Sequence, residues 1–330
     1  MNTGVEGEEV LRHDPHVRDF VVIPKGLVAE HDLDAYWSAL GSRYDRVINL
    51  CGSFEGALLK IPSRPDYFWP DAARRQTCAF NYLELAHLVA GVPHSPRQRF
   101  YPTEEETAWA RELVSSKPTV VWTLGGSGQH KLWPWIAAAI VQLLERNRAC
   151  QVLLVGGSDR NEVHRTVCQR LECYSSAAAT RFRTLVGSCS IRQSMALAQA
   201  ADLVVGPETG LLHSVALEPN AKIVILSHST TLNLTRDWIN TVAIVPDVAA
   251  VPCYPCHRLH FGTKFCPQVE GFAACAHSIR VETVLRPLLR LLRRNRSEFV
   301  RVTHGASSAP DPLCLAQEPA LQCELLPQEV

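Results

Sequence analysis

The chain has 330 residues, 46% hydrophobic and 20% charged, enough apolar material for about two globular domains with sizeable cores. Lys+Arg and Asp+Glu both number 33, so bulk electrostatic attraction to nucleic acid or to an anionic membrane is excluded as an organising force. No apolar run is long enough to cross a bilayer and residues 1–15 carry no apolar signal region, so the expected setting is the cytoplasm, with the 12 cysteines as reduced thiols or metal ligands.

In chain order, residues 1–17 read as a disordered lead-in. Phe20–Pro24 reads as a strand, Leu33–Leu40 as a short helix after Asp32, and Arg46–Leu50 as a second strand leading to Glu55. Asn81–Ala90 fits a helix stopped by Gly91 and Pro93. Thr103 followed by three glutamates opens another, running to about Ser115. The pattern then turns regular. Thr119–Leu124, Val152–Val155, Thr184–Gly187, Ala201–Gly206, Ile223–Leu226 and Val242–Val245 read as strands. Helices are expected over Trp133–Arg146, 160–171 and Ile191–Ala200, and Val281–Arg294 is amphipathic with Pro287 inside it. Strands alternating with helices, with glycines at the strand ends, imply a parallel sheet covered on both faces and ligands at its carboxyl edge. From Thr303 the chain is rich in Ala, Ser, Pro, Gln and Glu and is expected to be disordered.

Three loops fall on that edge. Gly125-Gly126-Ser127-Gly128-Gln129-His130-Lys131 offers backbone N–H groups and one ammonium, the chemistry of a phosphate site; its spacing is not that of a Walker loop. Gly156-Gly157-Ser158-Asp159 places an acid just past a strand, either for ribose hydroxyls or as a helix N-cap. Gly206-Pro207-Glu208-Thr209-Gly210 joins a strand to a helix that carries His213, either as an anion-binding turn or as an ordinary one with a packed histidine. A fourth group, Cys253-x2-Cys256-x9-Cys266-x8-Cys275, has a knuckle-like first pair. Four thiolates suit tetrahedral zinc or iron in a structural site, and the other reading is four buried free cysteines.

Lys131-Leu132-Trp133-Pro134 and Glu208-Thr209-Gly210-Leu211-Leu212-His213 together resemble the Lys-x-Trp-Pro and Asp-Thr-Gly-x-x-His signatures of family 9 glycosyltransferases, the heptosyltransferases, with Glu in place of Asp. The likeness runs most strongly from about Val120 to Leu226. It implies a GT-B-like α/β fold of two Rossmann-like domains, the N-terminal one incomplete. Residues 18–116 would form the shortened acceptor-side domain and 117–285 the nucleotide-sugar domain, with the cysteine cluster at 253–275. A closing helical segment over 286–302 and the tail over 303–330 would follow. The resemblance implies transfer of a heptose-like sugar from a nucleotide diphosphate sugar such as ADP-heptose to a glycan or protein hydroxyl, as in lipopolysaccharide synthesis. Ser127 and Lys131 would hold the diphosphate, Glu208, Thr209, Gly210 and His213 would clamp pyrophosphate or sugar, and Asp159 would face the nucleoside. No metal is needed for that chemistry. Related autotransporter heptosyltransferases carry cysteine-bound iron in the region of the four cysteines.

Family members open with a strand and a Gly-Asp loop whose aspartate is the general base, and residues 1–20 show neither. Glu55 is the substitute candidate, its other reading being a solvent-facing carboxylate. The competing expectation is a non-catalytic sugar-nucleotide-binding or scaffold protein that kept the fold.

Overall fold

The computed structural model describes residues 1–48, 50, 70, 72–73, 76, 79–114, 117–125, 128–157, 161–172, 176–257 and 266–293. Its centre is a six-stranded, wholly parallel sheet. In chain order the strands are β3 (Thr119–Thr123), β4 (Gln151–Val155), β5 (Phe182–Thr184), β6 (Leu203–Pro207), β7 (Ala221–Ile225) and β8 (Thr241–Ile244). Their order across the sheet is β5-β4-β3-β6-β7-β8. The chain winds outward one way from β3 and the other way from β6. The switch point therefore lies between these two strands, where a doubly wound sheet opens its ligand crevice.

Side chains alternate across the sheet with the two-residue period of a strand. Val120 and Trp122 of β3, with Val152, Leu154, Val205 and Ile223, face a core shared with two helices, Ile136–Arg146 and Val281–Leu292. Val121, Leu153, Val155, Val204 and Val224 face the opposite core with Ile191–Ala200 and Ala110. Both faces being buried, the strands are near-continuous apolar runs. Gly206 of β6 lies against the end of β3: a Cβ there would sit 2.2 Å from Thr123 Cγ2 and 2.9 Å from Thr123 O.

The helix expected from Trp133 begins at Ile136. The three residues before it serve as an anchor. Trp133 Nε1 donates to Ile279 O at 2.8 Å, Trp135 Nε1 donates to His277 O at 3.1 Å, and Trp133 stacks on Trp122 with the rings 6.2 Å apart. The helix Glu104–Val114 starts with a reciprocal cap, Glu106 N donating to Thr103 Oγ1 at 3.1 Å and Thr103 N to Glu106 Oε2 at 2.8 Å. In Val281–Leu292, the stripe Val284, Leu285, Leu288 and Leu291 is buried and Pro287 is accommodated within the helix.

The N-terminal end departs from expectation. Residues 1–17 are structured: β1 (Asn2–Thr3) pairs in parallel with β2 (Val21–Val22), and α1 (Val5–Leu11) bridges them. The expected strand at 20–24 shrinks to two residues. Of that at 46–50, the described residues 46–48 and 50 are not in a strand. Alpha-helix α1 buries no residue fully, which is why periodicity missed it. Long-range polar contacts hold it instead. Arg192, its side chain 5% exposed, donates to Val10 O at 2.8 Å and Tyr101 O at 2.7 Å while paired with both carboxylate oxygens of Glu106 at 2.8 Å. Gly7 seats the helix on β1, since a Cβ there would fall 2.1 Å from Thr3 Oγ1. The expected disordered tail from residue 303 lies outside the described residues.

Candidate active site

The two loops at the switch point meet. Strand β3 leads into a 3-10 turn, Gln129–Lys131, and β6 into the turn at Glu208 and Thr209. The Lys131 ammonium forms an ion pair with Glu208 Oε2, and His213 Nε2 lies 3.0 Å from Glu208 Oε1. Burial alone would raise the Glu208 pKa. The His213 hydrogen bond and the Lys131 charge overcome it and hold the carboxyl well below the usual carboxylate range. Glu208 is thus an ionised post that aims one cation and one imidazole at the same opening.

Thr209 is buried, and its Oγ1 has no hydrogen-bond partner among the described residues. A buried hydroxyl without a partner carries a desolvation cost, which a bound polar group would relieve. Gly210 is exposed, and a Cβ built on it meets no atom within 4 Å. The helix that follows, Gly210–Ser214, has only five residues, so what this turn offers an anion is the free N–H groups of its first turn. The full positive charge at this edge is that of Lys131, paired with the ionised Glu208.

Further groups that sequence reasoning did not single out share the edge. His130 is buried, its ring edge-on to His228 at 4.7 Å. Ser227, His228 and Ser229 form a buried polar run one residue after β7, and that abrupt change after an apolar stretch was the available signal. Ser127, Asp159 and Glu55 lie outside the described residues. The Trp133 of the Lys-x-Trp-Pro segment is a core anchor, 1% exposed.

Beside the turn is a cavity of about 490 Å³. Gly210, His213 and Ser214 form part of its wall, and Glu6, Gly7 and Val10 of α1 form another part. Gln98 ties the adjoining segment to the site by donating to His213 O at 3.2 Å. Glu6, exposed on the first turn of α1, makes no hydrogen bond or ion pair among the described residues.

Among the four cysteines, Cys253 is exposed, Cys256 and Cys266 are half-buried and Cys275 is buried. Cys275 packs with Val251, Tyr254, Ala273 and Cys266. Burial pushes its thiol up to about 12, and Cys266, Cys256 and Cys253 push in the same direction. Thiolates have the soft donor chemistry that zinc or iron takes. Among the described residues, however, no three His, Cys, Asp or Glu side chains are drawn into a metal-holding shell. Between Cys266 and Cys275 the strands Gln268–Val269 and Phe272–Ala273 pair antiparallel, and the second of them packs on the 3-10 turn of Lys131.

The described residues contain no helix long and apolar enough to cross a membrane. No curated protein sequence matches the chain significantly. Among solved structures, an ADP-heptose lipopolysaccharide heptosyltransferase II of E. coli is similar at 18% identity, covering 88% of each chain with a TM-score of 0.57. A family 9 glycosyltransferase of Veillonella parvula is similar at 13% identity, covering 88% of this chain and 87% of that one, also with a TM-score of 0.57. At such identities the likeness establishes the fold, a mixed α/β GT-B-type architecture. The sequence profile of glycosyltransferase family 9 (heptosyltransferase) matches residues 34–259. With its switch-point site, its fold and this match over more than half its length, the chain belongs to glycosyltransferase family 9.

Proposed function

We propose that the protein transfers a heptose-like sugar from a nucleotide diphosphate sugar, such as ADP-heptose, to a hydroxyl of a glycan or protein. The observation that carries this is the Lys131–Glu208–His213 cluster beside the orphaned Thr209 hydroxyl at the switch point. Lys131 meets the diphosphate and stabilises the charge that grows on it as the glycosidic bond breaks. The Thr209 hydroxyl and the first N–H groups after it supply neutral donors to the same oxygens. Glu208 keeps Lys131 aimed. His213 completes the clamp on the donor, with Ser127 and Asp159 as the expected phosphate and nucleoside contacts. No metal ion enters this chemistry, because a fixed ammonium and backbone donors act where a cation otherwise would.

The acceptor hydroxyl gives up its proton to a carboxylate of the N-terminal half. Glu6 supports this role: it has no partner among the described residues and lines the cavity with Gly210 and His213. The four cysteines are proposed to bind one structural zinc or iron, supported by their soft donor chemistry, the Cys-x2-Cys spacing of the first pair and the packing of Cys266 against Cys275. Reduced thiols and a nucleotide-sugar donor both suit the cytoplasm.

Isothermal calorimetry with ADP tests the donor site. Lys131→Ala is expected to weaken binding by roughly tenfold to a hundredfold, the weight of a charged hydrogen bond; unchanged affinity removes Lys131 from the site. Sugar transfer or donor hydrolysis by the purified chain separates an enzyme from a binding protein that kept the fold. Elemental analysis of protein made without added metal checks the cluster: less than one equivalent of zinc plus iron, with all thiols titratable, overturns it.

A further inference from the structure

The cavity beside Gly210 has a composition that suits one kind of second substrate. Its volume of about 490 Å³ lies within the roughly 300–1,000 Å³ typical of small-ligand sites. Much of its lining is apolar: Val10, Leu11, Phe100, Ile191 and Met195. Ile191 is 40% exposed at the first position of its helix, an apolar side chain left open on the cavity wall. The lining charges are Glu6, Asp14 and Arg99, together with His213. Arg99 is turned toward Glu218, 3.6 Å away. Asp14 is fixed by the His16 backbone N–H at 2.9 Å and faces His16 Nδ1 at 2.9 Å. The carboxylate of Glu6 has no partner among the described residues. A sugar acid or phosphosugar entering here would meet two carboxylates against a single guanidinium, that of Arg99, which leans toward Glu218. A carbohydrate would also lose its hydration against a wall offering few hydrogen bonds.

We propose that this cavity receives the acceptor, and that it selects a hydroxyl set among apolar groups and free of negative charge: a serine or threonine within a peptide. The proposal rests on the glycosyl-transfer reading above and names its second substrate. In the reaction the hydroxyl oxygen bonds to the anomeric carbon. The bond from that carbon to the phosphate oxygen breaks, the nucleoside diphosphate leaves with the electron pair, and the proton passes to the Glu6 carboxylate. Thr3–Gly4 brings Glu6 to the cavity at the end of β1 as Pro207–Thr209 brings Gly210 and His213 at the end of β6. The two strand ends thus supply acceptor and donor sides of one space.

The test titrates the full chain, saturated with ADP, with three probes followed by saturation-transfer NMR. The probes are acetyl-Leu-Ser-Val-amide, acetyl-Asp-Ser-Asp-amide and methyl glucuronide. The neutral peptide is expected to bind about tenfold or more tightly than either anion, the scale on which like charges reject a partner. Glu6→Gln with Asp14→Asn is expected to shrink that ratio to about threefold. Ile191→Gln, at a solvent-open position that leaves folding intact, is expected to weaken the neutral peptide alone. Equal or tighter binding of methyl glucuronide, no binding of the neutral peptide, or an unchanged ratio in the double variant each overturns the proposal. ADP affinity is measured in parallel. If ADP fails to bind, the donor reading falls, and the peptide preference, measured without ADP, still decides the cavity.

Discussion

Two strand-to-helix turns border the cavity, and they are held in unlike ways. The β6 turn hangs from a five-residue strand paired on both sides and buried throughout. The β1 turn hangs from a two-residue strand with one partner, followed by a helix that buries nothing fully. Apolar packing fixes the first, whereas the second is fixed chiefly by one arginine and one close glycine contact, with the partly buried Val10 as its apolar contact to the core. A site assembled from both is as well ordered as its weaker half, so the donor side should survive perturbations that dismantle the acceptor side.

The largest effect is expected from the arginine that fastens α1. Arg192→Ala strands the Glu106 carboxylate and frees the Val10 and Tyr101 carbonyls, and is expected to cost about 3–5 kcal/mol, as removing one partner of a buried ion pair does. Denaturant unfolding measures the loss. Hydrogen exchange should show α1 unprotected while β3 and β6 stay protected; equal loss in both would contradict the asymmetry.

The two glycines sharpen the contrast. At Gly206 an added methyl meets backbone as well as the Thr123 side chain, so Gly206→Ala is expected to cost about 1–3 kcal/mol. At Gly7 the obstacle is a hydroxyl that can rotate, so Gly7→Ala is expected to cost about 1 kcal/mol of rotamer strain. Thermal melts of the pair test the order.

Lys222 offers a pH-resolved check on the stronger half. It is fully buried in β7, with Nζ donating to Glu218 O at 2.7 Å and Asn220 O at 2.8 Å. Burial lowers its pKa to about 7. The unfolded chain then binds more protons than the folded one between about pH 7 and the ordinary lysine value, so stability rises with pH across that window. Below it the full penalty of a buried ammonium remains. Lys222→Met should flatten this part of the profile and raise stability at neutral pH; the same slope in wild type and variant would show that the lysine titrates normally.

The smallest structural effect is expected at Gly210. Open space around it predicts a stability change within about 0.5 kcal/mol for Gly210→Ala. ADP affinity should nevertheless fall, because the added methyl stands where the diphosphate would approach. Unchanged affinity would move the ligand away from this turn.

Much of the stronger half is legible in the amino-acid sequence. Val120, Val152, Val204 and Val224 sit in short apolar runs ended by Gly, Pro or Ser, and such runs need no partner's identity to be read as buried strands. Lys131 and His213 are legible because their motifs place charge and glycine at strand ends. The weaker half is not: residues 1–17 offer only scattered apolar side chains, and their order comes from Arg192, some 180 positions along the chain. Glu6 and the cavity are hidden for the same reason. Asp159, Ser127 and Glu55 fall outside the described residues, so their roles rest on the sequence.

The amino-acid order alone determined a parallel α/β sheet with phosphate-type loops on its carboxyl edge, since both follow from local periodicity and from which residues free the backbone. Tertiary structure alone decided that Glu208 binds both Lys131 and His213, that Thr209 is left without a partner among the described residues, and that Glu6 shares their cavity. Those facts depend on where distant strands end relative to one another. Only the switch between β3 and β6, and the docking of α1, set that.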